Sequence, residues 1–114
     1  MTKAEKVIDE LLAYAPKLRP VYQEHLADHG ELLPHVLFGD LTRFVAKLCM
    51  TDPSSPELKS ILDVLENGMA RGDEYTQELI SVSFLENLDQ EADYFPVLAS
   101  MFGEALAKEI RKYQ

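Results

Sequence analysis

The sequence predicts an all-α domain of about six helices and no sheet. Three observations carry that prediction. Apolar residues recur at helical spacing along nearly the whole chain, while strand-like alternation is almost absent. Proline, glycine and capping residues punctuate the pattern at intervals of a helix length. At 114 residues and 46% apolar, the chain suits one domain, residues 1–114, built on one hydrophobic core.

Each element has its own signals. Thr2 followed by Glu5 forms a capping box, and Ala4, Val7, Ile8, Leu11, Leu12 and Ala15 make one apolar stripe behind it. Pro16 interrupts or restarts that helix. A second helix over 17–29 stops at Gly30, a C-terminal cap. Pro34 opens the third, with Leu37, Phe38, Leu41, Phe44, Val45 and Leu48 inward and Asp40, Arg43 and Lys47 outward. The break "TDPSSPE" (51–57) ends it, and Ser55 with Pro56 starts the fourth. There Leu58, Ile61, Leu62, Leu65 and Met69 face in; Lys59, Asp63, Glu66 and Asn67 face out. "ARGD" (70–73) turns the chain into a fifth helix over 73–88, whose "LISVSFL" is apolar on most sides and reads as a central element. A final helix from 94 or 96 to 112 turns Leu98, Met101, Phe102, Ala105, Leu106 and Ile110 inward. Lys108, Arg111 and Lys112 suit the negative end of its dipole.

Charge narrows the function. The net charge is -9, and residues 57–93 alone hold ten acids against Lys59 and Arg71. Phosphate contacts need the opposite sign, so direct binding of DNA or RNA is excluded as an expectation, and a basic protein partner is favoured. No apolar run is long enough to span a bilayer. One cysteine, Cys49, and a charged N-terminus without a signal-peptide core fit a reducing compartment, and a cytoplasmic location is expected. The expected docking surface is the outer side of the fourth and fifth helices and the loop after them. Asp63, Glu66, Asp73, Glu74, Glu78, Asp89, Glu91 and Asp93 would meet lysines and arginines, with Tyr75 and Tyr94 as desolvated anchors.

Catalytic signals are sparse. "EHLADHGELLPH" (24–35) contains all three histidines, and His25 and His29 at i and i+4 could share a metal ion. Leu26 follows His25 where the metalloprotease motif needs glutamate, and the imidazoles fall on the apolar face with Leu18 and Tyr22, opposite Glu24 and Asp28. Structural or capping histidines are the expected reading, with no metal and no cofactor. There is no phosphate-binding glycine loop, nucleophile elbow or Cys-x-x-Cys, and Cys49 reads as a buried thiol. Glu86 has two open placements, half-buried beside a histidine or arginine or exposed on the helix's thin polar edge, and Asn87 beside it could bond a neighbouring chain.

At "ELLPHVLFGDLTRFV" (31–45) and "LISVSFLENL" (79–88) the chain resembles small helical bacterial proteins similar to immunity proteins of polymorphic toxin and contact-dependent growth inhibition systems. The resemblance covers most of the chain in general layout and brings no contact residues with it. It implies a non-enzymatic inhibitor that binds a cognate toxin domain, monomeric alone or 1:1 with its target. The acidic surface makes a basic nuclease, such as an RNase, the expected toxin. Two other readings stand beside it: a metal-binding or enzymatic protein using His25 and His29, and an adaptor subunit that self-associates through an apolar helix face.

Overall fold

A computed structural model describes residues 3–114, Lys3 by its backbone alone. The Thr2–Glu5 capping box therefore lies outside the described residues. Every regular element among them is helical: α1 (Lys3–Tyr14), α2 (Arg19–His29), α3 (Pro34–Thr51), α4 (Pro56–Arg71), α5 (Glu74–Ile80), α6 (Tyr94–Ser100) and α7 (Glu104–Ile110). Short 3-10 turns precede α2 (Pro16–Leu18) and follow α7 (Arg111–Tyr113), and a π-turn (Ser81–Leu85) continues α5. No helix of the described residues is long and apolar enough to cross a membrane.

Local chemistry sets most boundaries where the sequence puts them. Gly30 takes the left-handed conformation (φ 72°) that an L side chain adopts only with strain, and its N–H closes α2 on the Leu26 carbonyl at 2.8 Å. The Ser55 hydroxyl accepts from the N–H groups of Glu57 and Leu58, with Pro56 in the first turn of α4. A carboxylate oxygen of Asp73 accepts from the Thr76 N–H at 2.9 Å and starts α5.

α4 and α5 form the centre. α4 packs on α1, α5 and α7; α3 packs on the π-turn, α5 and α6; α2 lies against α3. Leu58, Ile61, Leu65, Leu79, Ile80, Phe84 and Leu85 are fully covered, joined by Phe38 and Val45 from α3, Leu98 from α6 and Leu106 from α7. A radius of gyration of 13.1 Å is that of one compact unit of this length.

Two expectations about the last third are corrected. The final helix is two, α6 and α7, separated at 101–103. Gly103 is extended there, and the carboxylate of Glu66 reaches across from α4 to accept from the N–H groups of Ala105 (2.7 Å) and Leu106 (3.0 Å). A β-carbon on Gly103 would stand 2.5 Å from the Glu66 carboxyl carbon, so the cap needs glycine at that position. Glu66 is thus not an outward partner contact but the N-terminal cap of α7. The fifth helix also ends sooner than 88: its regular turns stop at Ile80, and the π-turn closes with the Glu86 N–H on the Ser81 carbonyl at 2.9 Å.

Replacing Glu66 by alanine removes two charge-assisted hydrogen bonds from an otherwise orphaned helix start. It should cost about 1–2 kcal/mol in urea unfolding. Hydrogen-exchange protection should fall first at the Ala105 and Leu106 amides; protection unchanged there would refute the cap.

Candidate partner surface and the groove between α5 and α7

Tyr75, Glu78, Val82 and Glu86 repeat at three and four residues, and all four are exposed along one side of α5 and its π-turn, beside exposed Glu74. Tyr75 and Val82 are 45% and 42% exposed, high for side chains that can be buried at little cost. The first turn of α3 borders this stripe. His35 meets the Tyr75 ring edge-on, centroids 5.8 Å apart at 82°, and exposed Val36 adjoins it. His35 is held in turn by a 2.5 Å hydrogen bond between its Nδ1 and the buried Ser83 hydroxyl. Three exposed apolar side chains, Val36, Tyr75 and Val82, thus stand on adjoining elements, and α5 and its π-turn also bring the exposed carboxylates of Glu74, Glu78 and Glu86. None of those three carboxylates forms an ion pair among the described residues.

The ten sequence-predicted contacts do not form one surface. Glu74, Tyr75 and Glu78 lie on α5. Asp89, Glu91 and Asp93 are exposed in the loop before α6, where an Asp89 carboxylate oxygen accepts from the Glu91 N–H at 3.0 Å. Asp63 lines a different groove with Glu10 and Tyr14, between α1 and α4. Asp73 is exposed but serves as the α5 cap. Glu66 caps α7. Tyr94 is no surface anchor: it is buried, and its hydroxyl accepts from the Asp89 N–H at 2.7 Å, tying the acidic loop to the core. Glu86 takes the exposed placement, and Asn87 donates its amide to the Ser83 carbonyl of its own chain.

The histidines are accounted for separately. His25 is buried, and its Nε2 accepts from the Leu33 N–H at 3.0 Å, which pins the connection into α3. That lone pair is therefore spent, and the ring proton sits on Nδ1, leaving His25 no nitrogen to offer a metal. His29 is exposed, its ring 4.8 Å from that of His25. Among the described residues no group of three metal-ligating side chains stands together. Ser83 and His35 are hydrogen-bonded as a nucleophile and base would be, with the Ser83 hydroxyl buried. Burial pushes the Cys49 thiol up, away from the reactive thiolate.

Sequence reasoning missed a groove of about 720 Å³ between α5 and α7. Glu74 and Glu78 line one wall, Lys108 and Lys112 the other. On its floor the buried Ser81 hydroxyl donates to Glu109 at 2.6 Å, and with that proton committed the Tyr113 hydroxyl, 2.7 Å away, donates to Ser81. Lys112 pairs with Glu109 at 3.1 Å. The Ser81 hydrogen bond, then the charges of Lys112 and Lys108, hold the Glu109 carboxyl below its usual range despite the opposing effect of burial. A serine inside "LISVSFL" was the one sequence signal for this floor.

Because the Glu109 pKa is lowered by folding, its stabilisation is fully present above the ordinary glutamate pKa. It is lost as pH falls through the lowered value. Ser81→Ala should cost about 1–2 kcal/mol at neutral pH and less in acid, read from chemical unfolding across pH. A penalty independent of pH would show that the bond to the ionised carboxylate is not its source.

No curated protein and no solved structure matches the chain. A domain family does, over residues 8–114, which is nearly all of it. The chain belongs to DUF7674, a family described as a domain of unknown function.

Proposed function

We propose that this protein works by binding rather than turnover, as an immunity protein that neutralises a basic toxin domain, most simply a nuclease such as an RNase. The observation that carries the reading is the α5 stripe. Tyr75 on α5 and Val82 on its π-turn are exposed apolar side chains on one side, and the carboxylates of Glu74, Glu78 and Glu86 are exposed beside them without ion pairs among the described residues. Such a surface suits a partner that presents lysine and arginine around an apolar contact, with the tyrosine as the desolvated anchor and the acids as steering charge. A nuclease grips phosphate with basic side chains, so carboxylates can occupy that surface in place of nucleic acid. The resemblance to immunity proteins supplies the biological form of the inhibitor, acting in the cytoplasm that its lone thiol fits.

The test is co-expression with the basic domain captured from the source cells, followed by binding kinetics and inhibition of its nuclease activity at 1:1 stoichiometry. Reversing Glu74 and Glu78 to lysine should slow association roughly ten-fold at low salt, an effect that fades as salt rises. Tyr75→Ala should instead speed dissociation, costing about 1–3 kcal/mol of affinity. Charge reversal that leaves the association rate unchanged removes this face from the proposal, and a captured domain that stays active in the complex removes the inhibitor reading.

A further inference from the structure

We propose that the groove between α5 and α7 is a binding site for a small zwitterion, a molecule with an ammonium group and a carboxylate at opposite ends of a short aliphatic chain. This goes beyond the partner reading and does not depend on it, although Glu74, Glu78 and Val82 serve both.

Opposite charges are divided between the two sides of the groove. Glu74 and Glu78 lie one helical turn apart on α5; across the groove stand Lys108 on α7 and Lys112 in the 3-10 turn that follows it. The walls stand too far apart to neutralise each other, since neither glutamate comes within 4.0 Å of either lysine among the described residues. The charge on the floor is already committed, because Glu109 is held by Ser81 and Lys112. Lys108, Glu74 and Glu78 are left facing an open groove.

A purely cationic guest is drawn to α5 but repelled by α7, and a purely anionic guest meets the reverse. Only a guest with both charges gains from both walls. Between the charged walls, Met69, Val82 and Ala105 supply apolar surface for the methylenes that separate the two ends. A volume of about 720 Å³ is in the range of sites that hold small molecules. The buried Ser81, bonded to both Glu109 and Tyr113, fixes the α7 side against α5 and so keeps the walls in register before a guest arrives.

The test titrates the intact chain with ε-aminocaproate, watched by amide-resolved NMR, against hexylamine and caproate as single-charge probes of the same length; γ-aminobutyrate reports the preferred span. Saturable shifts are expected over residues 74–82 and 105–113, with ε-aminocaproate at least about ten-fold tighter than either single-charge probe. Glu78→Lys and Lys108→Glu should each weaken it by about three- to ten-fold. The charge-exchanged double variant, which again presents one anionic and one cationic wall, should recover most of the loss. Both positions are exposed, so unperturbed core resonances will show that the variants fold. The proposal is overturned if ε-aminocaproate binds no tighter than hexylamine and caproate, or if the single reversals leave its affinity unchanged.

Discussion

One hydrogen bond, from the Glu86 N–H to the Ser81 carbonyl, closes the turn from which the exposed stripe and the groove are both built. By spanning five residues instead of four it widens a single turn at the end of α5. The Ser83 carbonyl, freed from the regular ladder, takes the Thr42 hydroxyl from α3 and the Asn87 side-chain amide instead. The hydroxyls of that turn then serve opposite neighbours. Ser83 binds His35 at the start of α3, and Ser81 binds Glu109 and Tyr113 around α7. The end of this largely covered helix thereby becomes a polar connector between α3 and α7. The rim of the exposed stripe and the floor of the groove are both built from it.

Electrostatics divides into committed and uncommitted charge. Asp73 caps α5, Glu66 caps α7, and Glu109 is held by a hydroxyl and an ammonium. These acids serve the fold, each at a place where a backbone N–H or a buried hydroxyl needs an acceptor. Glu74, Glu78, Glu86, Glu91 and Asp93 have no such task among the described residues, and their mutual repulsion is tolerated because water screens it. An excess of acid over base in one third of the sequence thus overstates the charge available to a partner, which is the part left after capping.

The fold was legible wherever the signal is local. Gly30, Ser55, Pro56 and the apolar spacing of α1, α3 and α4 act within a few residues of themselves, and the helices start and stop as those residues dictate. What sequence could not show are bonds whose partner lies far along the chain. Glu66 reads as an outward residue of α4 because its partners, at Ala105 and Leu106, lie about forty residues further along, at the start of a separate helix. Tyr94 reads as an exposed aromatic among acids because nothing local reveals that its hydroxyl holds the Asp89 amide. His25 followed the expected structural role, since its position on the apolar face of α2 was visible in the periodicity. The groove was invisible because its two walls are more than twenty residues apart and share no motif.

Glu66 and Gly103 have a consequence for how this sequence can diverge. The carboxylate occupies the space that any β-carbon at position 103 would need, and it is there because α7 begins there. The two positions are therefore linked in inheritance rather than independent. A larger residue at 103 displaces the Glu66 carboxylate from the start of α7, so a lineage that acquires one needs another cap there. Among related chains, a residue larger than glycine at 103 should not occur together with a Glu66 cap, whereas glycine at 103 can outlast the loss of glutamate at 66.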